Sequence, residues 1–230
     1  MQRNIEIAVW QTMNGTYPWM VGLTPEQLKL AKASIEERVV ARGCYVCRSG
    51  EPARYWYGVM EGLVKMSIAT TEGKPASFIG IASGGWFGEG TLLKNELRRY
   101  DIVALRSTHL ALIPRATFMW LVDVSLSFNR WLLNQLNERL SQFIALLADD
   151  RLRNNDARIA STMAWMFNPY LYPKMTRVIP ISHEEIAHLA GVSRPRTNEA
   201  LHRLENAKLI HVGYAHVTVL DIEGLRNFEG

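Results

Sequence analysis

The stretch 182–210, SHEEIAHLAGVSRPRTNEALHRLENAKLI, constrains this chain more than any other, because it reads as two helices joined by a tight corner. Ser182 stands where a cap is needed, and Glu185, three residues on, can reach back to complete a capping box. Ile186, Ala187, Leu189 and Ala190 give the first helix an apolar face. Gly191 supplies the permissive backbone of a sharp turn, and Val192 plugs the corner. Ser193 is set to cap a second helix with Pro195 in its first turn, where a missing N–H costs little. Ala200, Leu201 and Leu204 face inward on that helix, while Arg194, Arg196, Asn198 and Glu199 gather at its N-terminal end.

A second helix of this kind can enter the major groove of DNA N-terminal end first. Arginine pairs bidentately with guanine and asparagine with adenine. An ordinary helical hairpin with a solvated arginine face is the competing reading. Cap, small residue, glycine turn and second cap at consistent spacing favour DNA.

The 230 residues, 48% of them apolar, suffice for one large domain or two ordinary ones. The apolar runs fall far short of a membrane span, so no membrane partner is expected. The N-terminus, MQRNIEIAVWQTMNG, lacks the apolar segment and small-residue cleavage site of a secretory leader. Two cysteines make no disulfide framework, and the expectation is a cytoplasmic protein. The pI of about 9.1 suggests an acidic partner. From Asn154 onward, however, eight Lys+Arg balance eight Asp+Glu, so DNA binding has to rest on the local placement of Arg194, Arg196 and Arg203. Five of the six histidines also follow Asn154 and can add positive charge there.

Residues up to about Gly22 show no clear period. Thr24 can cap a helix, TPEQLKLAKASIEERV, with Pro25 at its first position. From Val39 to Leu112 short runs rich in Val, Ile, Tyr and Trp are punctuated by glycines, the pattern of an antiparallel sandwich or jelly roll. The run YWYGVMEGLVKM, residues 55–66, reads as two strands around a Glu-Gly turn. A short helix is expected over 114–122 and a long one over 125–149. On the long helix Leu126, Leu133, Leu136, Leu140, Phe143 and Leu147 keep steps of three and four. That seam, broken only by Asn129, favours pairing with a second copy, and Asn129 can fix its register.

The polar segment 148–156 marks a domain boundary, dividing the chain into 1–124, a dimerisation helix 125–150, and 151–230. A helix, ARIASTMAWMF, ends at Asn168-Pro169. A short strand, RVIPI, leads into the two-helix unit, after which HVGYAHVTVL reads as a small hairpin turning near Gly213. A short helix follows Asp221.

A jelly roll, a long dimer helix, a hinge and a winged helix-turn-helix, in that order, resemble the cyclic AMP receptor protein and FNR (Crp/Fnr) family of bacterial transcription regulators. The resemblance runs over about 24–220. Its most specific parts are Gly50-Glu51, Met60-Glu61-Gly62, Trp86-Phe87-Gly88-Glu89, Arg158-Ile159-Ala160 and Val192-Ser193-Arg194. It implies an α+β chain that is not an enzyme. It also implies a homodimer on a two-fold symmetric operator in double-stranded DNA, in contact with RNA polymerase.

Members of the family that bind cyclic AMP hold it with a Gly-Glu pair and a following Arg-Ser pair. Gly88 and Glu89 match the first pair and Arg99 the arginine, which could grip a phosphate. Tyr100 then stands where serine is expected, and Phe143 and Ile144 stand where polar residues meet the purine. Cyclic AMP therefore fits poorly, and a different small effector, or none, is expected. On the DNA side, Arg194 matches a family arginine, whereas Pro195 and Glu199 replace a base-reading glutamate and arginine. Arg196 and Asn198 become the candidates for base contact, and Ser193 and Thr197 for phosphate contact.

Other chemistries find less support. Cys44 and Cys47 form a CxxC, but an iron–sulfur cluster needs about four thiolates and no cysteine precedes Cys44. In a strand the two would point to opposite faces, one into the core. His183 and His188 are five apart, not the HExxH of a zinc protease. The rival class is a jelly-roll binding protein or enzyme with an incidental helical tail; a DNA-binding regulator without a ligand is a third reading.

Overall fold

The computed structural model describes residues 17–69 and 75–230. The N-terminal half is a sandwich of two four-stranded antiparallel sheets. One sheet has the order β1(Glu36–Val40), β8(Thr108–Pro114), β3(Tyr55–Glu61), β6(Trp86–Phe87). The other has the order β2(Tyr45–Cys47), β7(Asp101–Ala104), β4(Leu63–Ala69), β5(Pro75–Ala82). The helix begun at Thr24 is shorter than expected. α1(Pro25–Ala33) has the Thr24–Gln27 capping box and ends at Ser34, whose hydroxyl donates to the Ala31 carbonyl. The residues after Ile35 pair along β8 instead, Glu36 opposite Leu112 and Val40 opposite Thr108.

The strands expected within residues 55–66 form, but they are not a hairpin. β3 pairs with β8 and β6, β4 pairs with β5 and β7, and Glu61–Gly62 is the corner between sheets. Gly62 takes φ +112°, and a Cβ there would meet the Thr108 backbone at 2.9 Å.

Sheet β1-β8-β3-β6 is buried on both faces, so its strands alternate between two cores. Tyr57, Val59, Leu110 and Leu112 point into the sandwich. Trp56, Ala111 and Ile113 point the other way, into an aromatic cluster beneath α2(Glu89–Lys94), α3(Arg115–Val124) and α4(Leu126–Leu152). Trp19 anchors that cluster from a 3₁₀ turn, Pro18–Met20, and is 0% exposed. The rings of Trp56 and Trp86 lie 4.2 Å apart, and Gly58 makes room, since a Cβ there would stand 2.6 Å from the Trp86 ring.

α4, capped by Ser125, carries its leucines in two rows that the sequence alone merges into one seam. Phe128, Leu132, Gln135, Arg139 and Gln142 are buried against the chain's own sandwich. Leu126, Leu133, Leu140 and Leu147 stay outside, between 53% and 66% exposed. Asn129 is not a register residue on that outer row. It donates to the Val122 carbonyl at 2.6 Å and so stitches α4 to the end of α3.

The C-terminal half comprises α5(Asn155–Ala164), β9(Val178–Ile179), α6(His183–Ala190), α7(Arg194–Asn206), β10(Ile210–Gly213), β11(His216–Val219) and α8(Ile222–Arg226). The three strands form one antiparallel sheet, β10-β11-β9. Its core is continuous with that of the sandwich through β5. A Cβ on Gly80 would lie 2.8 Å from the Met166 methyl and 3.4 Å from Leu189.

Candidate nucleic-acid interface and effector cleft

The two-helix unit forms as its sequence dictates. Ser182 and Glu185 close the capping box, and Gly191 ends α6 with φ +63°. Arg158 reaches the corner from α5, donating to the Ala190 carbonyl at 2.7 Å and pairing with Asp150 of α4 at 2.8 Å. Ala200, Leu201 and Leu204 are at most 1% exposed on the inner side of α7. Arg194 and Arg196 are exposed on its outer side, and neither enters an ion pair among the described residues.

Three neighbours differ from expectation. Ser193 occupies the cap position, yet its side chain makes no capping bond, and it remains exposed. Thr197 is not a phosphate contact. It is 0% exposed, and its hydroxyl donates to the Ser193 carbonyl at 3.1 Å, a bond back onto the first turn of its own helix. Asn198 is half-buried and bonded to His183 Nδ1 at 2.8 Å, so it ties the two helices together. From sequence, the sign of this was the i, i+3 step from the Ala200–Leu201 face back to Thr197.

In the last turn of α7, Glu205 accepts from the Val212 backbone at 2.8 Å and pairs with His211 at 3.1 Å, fixing the wing to the helix. The wing turns at Tyr214–Ala215, with Ala215 at φ +56° and Tyr214 98% exposed. At the other end of the unit, Arg106 of the sandwich grips Glu185 with both guanidinium nitrogens, at 2.8 and 2.7 Å, and Arg42 adds a contact at 3.3 Å. Burial opposes ionisation of Glu185, but the hydrogen bonds from Arg106 and Ser182 outweigh it and hold its pKa below the ordinary value.

In the sandwich a cleft of about 390 Å³ opens between β4, β5, α2 and α4. Gly88, Glu89, Tyr100, Leu136 and Phe143 all line it, beside Met66, Ile68, Phe78, Phe87 and Arg139. Arg99 does not. Its side chain is 73% exposed and paired with Glu96 at 2.8 Å. The inward arginine is Arg98, 2% exposed, which donates to the Tyr55 carbonyl at 2.9 Å and lies 5.0 Å from the Tyr57 ring centre. Spacing from Glu89 selects Arg99; the turn before β7 decides for its neighbour. Ile144 is also outside the cleft, 61% exposed.

Glu89 is 6% exposed and its Oε2 has no hydrogen-bond partner among the described residues; burial raises its pKa, an effect that the charge of Arg139 only partly opposes. Arg139 spends its donors elsewhere: on Tyr172 Oη at 2.8 Å, Gln142 Oε1 at 3.3 Å and the Trp86 carbonyl at 3.1 Å. Burial pushes the Tyr100 phenol up to about 12. Cys47, at the end of β2, is buried, its thiol raised to about 11 chiefly by burial, while Cys44 lies before the strand and is exposed, so the two cysteines part, but not by the strand alternation expected of them.

Sequence profiles agree with this geometry. A cyclic nucleotide-binding domain matches residues 37–125, and a Crp-like helix-turn-helix domain matches residues 157–228. The chain is similar to the cyclic AMP receptor protein of Thermus thermophilus, 27% identical over 88% of this chain and 92% of that one. It is also 27% identical to the cAMP-activated global transcriptional regulator CRP of Haemophilus influenzae, over 77% and 80%. FixK2 from Bradyrhizobium japonicum shares the fold, with TM-score 0.72 at 18% identity over 85% of this chain and 98% of that one. A cyclic-nucleotide-type sandwich joined by a long helix to a winged helix-turn-helix defines a DNA-binding transcription regulator. The chain belongs to the Crp/Fnr family of such regulators. No helix among the described residues is long and apolar enough to cross a membrane.

Proposed function

We propose that the chain acts as a homodimer on a two-fold symmetric operator, with 1–124 as effector domain, 125–150 as dimer helix and 151–230 as DNA-binding domain. The observation that carries this reading is α7, whose inner face is buried while Arg194 and Arg196 stand free at its N-terminal end. Arg194, Arg196 and the uncommitted hydroxyl of Ser193 make the base and phosphate contacts. The outer row Leu126, Leu133, Leu140 and Leu147 pairs with its copy across the two-fold axis. Two α7 helices then meet successive major grooves about 34 Å apart.

A small effector in the sandwich cleft gates this binding. The cleft shares Phe78 and Phe143 with a neighbouring groove whose other wall is Leu189, Ala190 and Gly191 of the helix-turn-helix, so occupancy on one side bears on packing at the other. Contact with RNA polymerase and a cytoplasmic location follow from a role at promoters. Selection from random double-stranded DNA tests the proposal. Enrichment of a palindrome with half-sites one turn apart supports it, and failure to enrich any symmetric site, with or without candidate effectors, overturns it.

A further inference from the structure

α7 sorts its side chains by face. Thr197, Ala200, Leu201 and Leu204 are buried. At about 100° per residue, the line opposite them runs through Pro195, Glu199 and His202, all exposed. Arg194 and Arg196, on the first turn, stand to either side of that line. A helix laid in the major groove turns its outermost line toward the base edges. The middle of that line is an acid. Glu199 lies in the second turn with its side chain 65% exposed, and it accepts no hydrogen bond among the described residues. Arg203 Nη2 stands 3.9 Å away, beyond hydrogen-bond distance. Arg203 gives Nε and Nη2 to Asp156 of α5, the second at 2.8 Å. With both side chains more than half exposed, the long contact between Glu199 and Arg203 contributes little to the helix.

A free carboxylate facing DNA is repelled by every phosphate, and Arg203 only tempers that repulsion. In the groove a carboxylate is an acceptor only, and guanine N7 and O6, thymine O4 and adenine N7 are acceptors too. Cytosine presents its N4 amine with no acceptor on the same edge. Resting on the proposal that α7 reads an operator, we infer that Glu199 is a specificity-determining residue, accepting from the N4 amine of one cytosine in each half-site. Its discrimination is largely negative. Guanine and thymine at that position set acceptor against acceptor, while adenine offers an amine beside a repelling N7. The carboxylate also weakens binding to DNA that lacks the cytosine, because there its charge meets phosphates without a compensating bond.

The test is selection from random double-stranded DNA by the full-length protein, with and without millimolar cyclic AMP, repeated for Glu199→Ala and Glu199→Gln. Both substitutions suit an exposed helical position, and circular dichroism and thermal melting should match the wild type. The wild-type site is expected to carry, symmetrically in each half, one position where cytosine is preferred at least about fivefold over guanine or thymine. Glu199→Ala should reduce that preference below about twofold, leave the other positions unchanged, and bind random-sequence DNA no more weakly than the wild type, since a repelling charge is gone. Glu199→Gln should turn the same position toward adenine, the partner of a side-chain amide. A symmetric wild-type site whose every base preference survives Glu199→Ala, or a loss spread evenly over all positions, overturns the inference and leaves the regulator proposal standing. A wild type that enriches no symmetric site in either condition overturns both.

Discussion

Replacing Arg106 by methionine keeps the aliphatic stem and removes a guanidinium that bridges sandwich and helix-turn-helix with two short bonds. Arg106 and Glu185 side chains are 19% and 10% exposed, so the carboxylate left behind is largely cut off from water. Removing one partner of a fully buried pair costs about 3–5 kcal/mol. Here Arg42 remains at 3.3 Å and a fifth of Arg106 was already solvated, so about 2–3 kcal/mol is expected. Glu185→Gln is the matched change on the other side, because glutamine at the third helical position still completes a capping box.

The assay is a double-mutant cycle by urea unfolding. Arg106→Met, Glu185→Gln and the double variant should give a coupling of about 1 kcal/mol or more, outside the range of independent sites. The pH dependence has a definite sign. The folded pKa of Glu185 is depressed, so its contribution is present above the unfolded value and lost as pH falls through the folded one. Acidification should therefore destabilise the wild type more than Arg106→Met over that window. A coupling below about 0.5 kcal/mol, or parallel pH profiles, would show that the pair carries no net stability.

Four further outcomes follow from the geometry. Leu140→Asp, on the outer row of α4, should leave the fold intact and convert a dimer to a monomer by light scattering; a monomeric wild type at micromolar concentration would refute the pairing. Arg196→Ala should cost roughly 1–3 kcal/mol per half-site and relax preference at one base pair if it reads guanine; a uniform loss across all sequences with a flatter salt dependence would mark a phosphate contact instead. Thr197→Ala should leave operator preference unchanged while lowering stability by about 1 kcal/mol through the lost bond to Ser193, so altered base selection would reverse its structural assignment. Gly58→Ala should destabilise the sandwich by roughly 1–3 kcal/mol in thermal melts, since its Cβ strikes the Trp86 ring; an unchanged melting temperature would mean that the tryptophan cluster shifts freely.

Much of the architecture is written locally. The Ser182–Glu185 box, the glycine at residue 191 and the spacing of Ala200, Leu201 and Leu204 determine the helix-turn-helix from sequence alone. Their causes are backbone sterics, end-capping and a 3.6-residue period, all acting within a few residues. The strands of the sandwich, the long helix and the wing are legible for the same reason. What the sequence leaves open is the partner of each side chain across the chain. Glu61–Gly62 looks the same as a hairpin turn or as a corner between sheets, and only the pairing of β3 with β8 and of β4 with β7 distinguishes them. Arg98 and Arg99 are alike in composition, and the turn before β7 buries one and solvates the other. Leu136 and Phe143 share a heptad with Leu133 and Leu140, yet the sandwich takes the first two as walls of its cleft and leaves the second two outside. Period and capping fix which elements form, because they are properties of neighbours along the chain. Which polar and apolar groups meet at the site is decided only when distant strands and helices close around a common core.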